Sequence, residues 1–143
     1  MASLEWPIRR SLLAYVGELD DGEVILGDGA QDSPGGFLFP SAGADSDALR
    51  FSGAVTVTGY EGALTLPVVE PWIEPDDHGH KLTIRDPATP GARIRLVTIA
   101  RLERRDDASV LGTGVALASP GSLLLTFGPY TAGTRFDDLR ITV

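Results

Sequence analysis

The hydrophobic residues of this chain recur at two different spacings, and the two spacings predict two kinds of secondary structure. Near the N-terminus, apolar residues three and four positions apart predict one amphipathic helix over residues 7–17. The residues that would share its apolar face are Ile8, Leu12, Tyr15, Val16 and Leu19. Pro7 fits the first turn of such a helix, because the N–H that proline lacks would have no partner there. Ser11 lies one turn before Tyr15 and on the same side.

Downstream of this helix, apolar and polar residues alternate, which is typical of half-buried β-strands. The alternation is clearest over residues 49–58 and 93–103. Shorter candidate strands are residues 23–26, 37–39, 63–69, 71–73, 81–84, 115–117, 123–127 and 139–143. In the segment 93–103, one face would carry Ile94, Leu96, Thr98, Ala100 and Leu102. Frequent turns separate these segments, so we expect neighbouring strands to pair antiparallel.

Turn-forming residues place the connections between the strands. Residues 59–62 read Gly-Tyr-Glu-Gly and predict a hairpin that joins strand 49–58 to strand 63–69. Pro67 assigns the second of these strands to a sheet edge or a bulge, because proline cannot donate a ladder hydrogen bond. We expect mobile acidic loops at residues 41–47 and 75–80, with His78 and His80 exposed.

The composition supports a single β-rich domain. The chain has 143 residues, of which 43% are hydrophobic, and this is enough to bury a core without covalent links. Its 17 glycines and 10 prolines favour many short strands over long helices. It has no cysteine, which excludes disulfides and thiolate metal sites. We predict a mainly β fold, an antiparallel β-sandwich or open barrel of about ten short strands with one N-terminal helix, as one domain over residues 1–143.

The charge excludes one class of partner and the hydropathy another. Acidic residues outnumber basic ones by 20 to 12, with a net charge of −8, whereas nucleic-acid binding needs a basic face. No apolar run approaches the roughly 18 residues that span a bilayer. We therefore expect neither nucleic acid as a partner nor a membrane span in this chain.

Candidate catalytic and metal-binding groups are few. His78 and His80 fit either a solvated loop or two ligands of a zinc site, and two ligands are too few, so we favour the loop. The pairs Asp20-Asp21, Asp106-Asp107 and Asp137-Asp138 lie at turns, where Asp side chains accept backbone hydrogen bonds. The chain has no nucleophile-elbow motif and no phosphate-loop lysine. We therefore expect that the protein is not an enzyme.

Tyr15 and Tyr60 form the strongest candidate ligand site. Tyr15 lies near the end of the predicted helix, and Tyr60 lies in the turn directly after the clearest strand. Tyrosine is a known axial ligand of haem, and its anion suits ferric iron. The alternative is that Tyr15 is an aromatic residue at the core edge whose hydroxyl contacts water.

Haem in an acidic protein would also need cations to pair with its propionates. The candidate cations are Arg9, Arg10, Arg93, Arg95 and Arg101. The alternative is that these arginines are simply the polar faces of a helix and a strand.

Several segments follow one another in an order and spacing that are similar to a known family. They are Trp6 with Ser11–Val16, Gly29-Ala30, Gly36–Pro40, Phe51–Leu66 and Tyr130–Leu139. Together they resemble the HtaA domain, the haem-binding module of actinobacterial haem-uptake and cell-surface proteins. The resemblance runs nearly from one end of the chain to the other.

The resemblance implies a role for each tyrosine. In the family, a tyrosine on the first helix is the axial ligand of the haem iron, and Tyr15 matches it. A histidine in the hairpin turn supports that tyrosine by hydrogen bonding, and Tyr60 occupies the matching position. Family members also carry a serine shortly after the axial tyrosine, whereas residues 17–20 contain none.

The resemblance thus implies a module that binds haem b through Tyr15, beside Tyr60, for haem uptake, transfer or storage. Its partners would be haem itself and another haem carrier or haem protein. The alternative is a non-catalytic interaction or structural module that has lost haem binding. Residues 1–7 lack the apolar core of a signal peptide. We expect a cytoplasmic location if Met1 is the native start, and a cell-surface or secreted one if a leader has been removed.

Overall fold

A computed structural model describes residues 2–125 and 130–142 of the chain. Strands dominate this part of the chain, and two short α-helices and one 3-10 turn accompany them. In chain order the elements are β1 (Ser3–Trp6), α1 (Arg10–Gly17), β2 (Glu23–Gly27), β3 (Gln31–Ser33), β4 (Gly36–Ala44), β5 (Leu49–Phe51), β6 (Ala54–Gly59), the 3-10 turn (Tyr60–Gly62), β7 (Leu64–Val69), β8 (Trp72–Asp76), β9 (Gly79–Arg85), β10 (Arg93–Arg104), β11 (Val110–Leu117), α2 (Ser119–Ser122) and β12 (Leu139–Thr142).

Eight of these strands form a closed antiparallel barrel. The order around the barrel is β1-β12-β11-β10-β9-β8-β5-β4, and β4 pairs back with β1. Leu4 of β1 lies opposite Ile141 on one side and opposite Phe39 on the other. Strand β3 pairs with β4 outside this ring. The prediction of a mainly β, antiparallel fold with an N-terminal helix is therefore confirmed, and the barrel is closed rather than open.

The remaining strands form a three-stranded sheet in the order β2-β6-β7. The hairpin of β6 and β7 confirms the turn predicted at residues 59–62. Pro67 lies in β7, at the edge of this sheet, as its missing N–H requires. Helix α1 packs against β6, and buried Leu12 and Val16 belong to the same core cluster as Val55 and Val57.

The core is built from the inward residues of the barrel, the small sheet and α1. Its largest fully buried side chains include Trp6, Phe39, Phe51 and Phe136. The rings of Trp6 and Phe136 lie 6.3 Å apart between centroids, which joins the first strand to the segment before the last one. Neither helix in the described residues is long and apolar enough to cross a membrane.

The predicted strand over residues 49–58 is wrong in one respect: the chain divides it between two sheets. Residues Leu49–Phe51 form β5 in the barrel, and Ala54–Gly59 form β6 in the small sheet. Gly53 separates them with φ of +104°, a backbone conformation that glycine adopts without a Cβ penalty. Its carbonyl accepts a hydrogen bond from the N–H of Glu70 at the other end of the hairpin. The alternation of apolar and polar residues continues through this change of sheet and therefore does not predict it.

The acidic loops are shorter than the sequence predicts. Residues 41–44 belong to β4, and the turn that follows begins at Asp45. His80 lies in β9 and is half-buried, so only His78 is exposed as predicted. The mobility of these loops stays a prediction.

The predicted strand at residues 123–127 is wrong over the part that the structure describes. Ser119–Ser122 form α2, and residues 123 and 124 are in a turn. Residues 126 and 127 lie outside the described residues, as does Val143 of the last predicted strand. Three leucines in succession are apolar enough for a strand, but Pro120 at the first turn of a helix directs the chain into α2.

Strand β10 and helix α1 differ from the predicted patterns in detail. A bulge between Arg95 and Val97 shifts the register against β9, so Val97 and Ile99 are buried while Ala100 is exposed. The prediction that Thr98 and Ala100 continue the same strand face as Leu96 is therefore wrong beyond the bulge. Helix α1 begins at Arg10 rather than near Pro7, because Ile8 adopts φ of +66° and cannot be helical.

We predict that Gly36→Ala destabilises the fold by at least about 2 kcal/mol. Gly36 has φ of +126°, and a Cβ there would lie 2.4 Å from the backbone of Pro7. Urea unfolding measures the effect, and Gly27→Ala is the control because its Cβ would meet nothing within 4 Å. Equal free energies of unfolding for the two variants would show that the approach of Gly36 to Pro7 is not a constraint.

Candidate functional site

Tyr15 lies in the last turn of α1 and is 40% exposed. Leu12 and Val16 are the buried residues of this helix, so the prediction that Tyr15 shares their inward face is wrong. Successive helical residues point about 100° apart, which turns Tyr15 from the core when Val16 faces it. The phenol is thus presented at the protein surface on a helix whose other face is buried.

Tyr60 is the first residue of the 3-10 turn between β6 and β7 and is 42% exposed. Its ring centroid lies 6.2 Å from that of Tyr15, with the two ring planes inclined at 53°. This distance and inclination belong to the tilted aromatic pairs that attract one another. The structure therefore brings together the two tyrosines that the sequence predicts as one site.

The backbone of the turn that carries Tyr60 is unusual. Tyr60, Glu61 and Gly62 have φ of 51°, 55° and 93°, so three successive residues are left-handed. For each residue with a Cβ this conformation costs roughly 1–2 kcal/mol. Such a conformation persists only where the surroundings hold it.

Asp21, in the connection between α1 and β2, contacts this turn. Its carboxylate accepts hydrogen bonds from the N–H of Tyr60 at 3.1 Å and from the N–H of Glu61 at 2.6 Å. These bonds, that from Glu61 first, lower the pKa of Asp21 below its usual value. The carboxylate therefore stays ionised at neutral pH. The sequence predicts Asp21 only as a turn residue, and its place in the chain gives no local signal of a contact with residues 39 and 40 positions away.

A groove of about 500 Å³ opens beside the turn and is lined by Asp20, Asp21, Tyr60 and Glu61. The groove is shallow and broadly open to solvent. Three of the four lining residues are acidic. The groove is therefore negatively charged, and a ligand with a cationic centre suits it better than an anionic one.

The start of α1 is fixed by the segment just before the last strand. The indole N–H of Trp6 donates to the carbonyl of Asp137 at 2.8 Å, and the N–H of Asp137 donates to the carbonyl of Ile8 at 3.0 Å. The carboxylate of Asp137 accepts from the N–H of Arg10 at 3.3 Å. The Arg9 side chain donates to the carbonyl of Arg135 at 2.9 Å. These bonds fix the direction of the helix that carries Tyr15.

The predicted propionate-binding arginines all have protein partners. Arg10 pairs with Asp137, Arg95 with Asp76 and Arg101 with Glu103. The Arg93 guanidinium lies 3.8 Å from the ring centroid of Trp72. The Arg9 guanidinium lies 5.4 Å from the ring centroid of Tyr130. None of the five lines the groove beside Tyr60. The positions of these five arginines therefore do not support the prediction that they bind the propionates of haem.

The histidine pair does not build a metal site with its neighbours. Within residues 2–125 and 130–142, no group of three or more His, Cys, Asp or Glu side chains is arranged to hold a metal ion. His80 instead lines a small cavity of about 130 Å³ that also includes Asp45 and Leu49.

The fold and site define a small β-barrel module that presents a pair of exposed tyrosines from a helix and a hairpin turn. The family model of HtaA, described as Htaa, matches residues 1–142, and the chain belongs to the HtaA family. HtaA-family proteins are non-catalytic, which confirms that the chain is not an enzyme. No curated protein sequence matches the chain.

Solved structures from Corynebacterium glutamicum share the fold. The N-terminal domain of HtaA has a TM-score of 0.71 at 22% identity, with 99% of this chain and 96% of that chain covered. The C-terminal domain of HtaA has a TM-score of 0.68 at 22% identity, with 98% and 93% covered. The heme binding protein HtaB has a TM-score of 0.71 at 18% identity, with 99% and 92% covered.

We predict that Tyr15→Phe and Tyr60→Phe each change the free energy of unfolding by less than about 0.5 kcal/mol, because both phenols are exposed. Urea unfolding of the ligand-free protein measures this, with Trp6→Phe as the contrasting variant. Trp6→Phe deletes a buried N–H donor and leaves a carbonyl without its partner, which costs about 1–3 kcal/mol. A large loss in either tyrosine variant would mean that the pair is a structural contact of the fold.

Proposed function

We propose that this protein binds ferric haem b, with the Tyr15 phenolate as the axial ligand and Tyr60 as its hydrogen-bonding neighbour. The observation that carries the proposal is the pair of exposed tyrosines whose ring centroids lie 6.2 Å apart. A protein of the same fold, HtaB from Corynebacterium glutamicum, is a heme binding protein. Family membership over residues 1–142 supports the same function.

The residues present fit a ferric haem in their chemistry. A phenol loses its proton in water only near pH 10, so a cation must stabilise the phenolate at neutral pH. Bound haem supplies that cation as its ferric iron. The exposed Tyr15 side chain is accessible to a planar ligand, and the Tyr60 ring offers an aromatic surface beside it. The negative groove adds a favourable field for the iron centre.

Each part of the chain has a defined task in this site. Helix α1, fixed at its start by the segment around Asp137, directs the Tyr15 phenol outward. Tyr60 donates its O–H to the Tyr15 phenolate, which lowers the free energy of the anion. The carboxylates of Asp20 and Glu61 repel propionates from the groove, so they favour one orientation of the ligand.

The exposure of both tyrosines suits transfer rather than permanent retention of haem. A ligand held at an open groove can be taken over by a second haem-binding protein without unfolding the first. We therefore propose another haem carrier or haem protein as the exchange partner, in haem uptake, transfer or storage.

Tyr15→Phe keeps the aromatic ring but removes the oxygen that would bind iron. We expect this variant to lose the tyrosinate-type absorption of bound haem, which a titration of the purified protein with hemin measures. Tyr130→Phe is the matched control, because the Tyr130 ring lies beside Arg9 and is not part of the Tyr15–Tyr60 pair. The assignment is wrong if wild-type protein shows no saturable hemin binding, or if Tyr15→Phe binds hemin as wild type does. The module would then be an interaction or structural unit without haem.

Tyr60 can be tested in both directions. Tyr60→Phe removes one hydrogen-bond donor to a charged partner, so we expect hemin affinity to fall by about tenfold to a hundredfold. Tyr60→His replaces the phenol with another side chain that can donate a hydrogen bond, and we expect this variant to bind hemin at least as tightly as wild type. Hemin dissociation constants measured by absorption titration decide both. An unchanged hemin affinity in Tyr60→Phe would show that the Tyr60 hydroxyl does not contribute to hemin binding.

A further inference from the structure

We infer that Asp21 is the positioning residue of the tyrosine site, because its carboxylate holds the turn that places Tyr60 against Tyr15. The effect of Asp21 on haem binding rests on the proposed function. The effect of Asp21 on the turn is a property of the ligand-free protein. Asp21 does not need to contact haem in this role; it acts through the backbone of Tyr60 and Glu61.

The two hydrogen bonds to Asp21 are long-range contacts. Asp21 precedes Tyr60 by 39 residues and Glu61 by 40 residues, and it accepts from both of their N–H groups. The 3-10 turn has no side-chain cap of its own. Within the turn, the N–H of Ala63 donates to the carbonyl of Tyr60 at 3.0 Å, which closes the turn but leaves the Tyr60 and Glu61 amides to Asp21.

The turn needs this support because Tyr60 and Glu61 are both left-handed residues with a Cβ. An ionised carboxylate is a strong acceptor for backbone N–H groups, and one carboxylate can satisfy two neighbouring amides. When the carboxylate is removed, both amides lose this acceptor, and the cost of the left-handed conformation at Tyr60 and Glu61 favours relaxation of the turn. The Tyr60 ring would then leave its place beside Tyr15.

Close packing on both sides of Asp21 constrains the backbone that carries it. Before it, the Leu19 side chain packs on Gly59, where an added Cβ would lie 2.8 Å from Leu19 Cδ1. After it, the backbone of Gly22 passes against the last turn of α1, where an added Cβ would lie 1.9 Å from the carbonyl oxygen of Val16. The segment that carries Asp21 therefore packs both against the end of β6 and against α1, the helix that carries Tyr15. One short connection thereby sets the positions of both tyrosines.

The first arm of the test uses ligand-free protein and NMR. In wild type we expect slow exchange of the Tyr60 and Glu61 amides and a nuclear Overhauser effect between the Tyr15 and Tyr60 rings. Asp21→Ala should speed the exchange of both amides at least tenfold and abolish the ring–ring signal. Asp21→Asn keeps one carbonyl oxygen and should protect one amide only. Glu23→Gln removes a nearby exposed charge and should behave as wild type. Protected amides in Asp21→Ala would overturn the inference.

The second arm uses hemin titration and a double-mutant cycle. Asp21→Ala should weaken hemin binding by about as much as Tyr60→Phe does. In a Tyr60→Phe background it should add less than about threefold, because both changes remove the same interaction. Fully additive losses would show that Asp21 acts on haem directly and would overturn its positioning role. If wild type does not bind hemin, the proposed function fails, and the NMR arm alone decides the role of Asp21.

Discussion

The double pairing of strand β1 is the constraint on which the rest of the structure depends. This strand has four residues, and it pairs with β12 along one edge and with β4 along the other. Its inward side chains, Leu4 and Trp6, are fully buried in the core. The chain leaves β1 directly into α1, and Trp6 and Ile8 are bonded to the backbone of Asp137. Barrel closure therefore also fixes the helix from which Tyr15 projects.

The parts of the fold that depend on local pattern are predictable from the sequence. The hairpin at Gly59–Gly62, the edge position of Pro67 and the amphipathic helix each follow from residues close together in the chain. The parts that depend on distant residues are not. The alternation from Leu49 to Thr58 continues through Gly53 although the chain changes sheet there, and nothing in residues 3–6 shows that they will pair with both β4 and β12.

The candidate site shows the same division. The sequence predicts the two tyrosines, because each stands out in its own element, and the structure brings their rings together. It does not predict that Tyr15 is turned from the core, since one residue of helical rotation separates it from buried Val16. Nor does it predict Asp21, whose hydrogen-bond partners lie 39 and 40 residues away.

The pairing of the first strand with the last has a consequence for how the molecule folds. Ser3 lies opposite Thr142, so barrel closure joins residues from the two ends of the described chain. Contacts of such large sequence separation make folding slow, on the order of milliseconds to seconds for β-barrels of small size. Until β12 docks, β1 and β11 each present an unpaired strand edge. A second chain in the same state presents its own β12 to these edges. Barrel closure by the chain's own β12 therefore competes with the exchange of β12 between two chains.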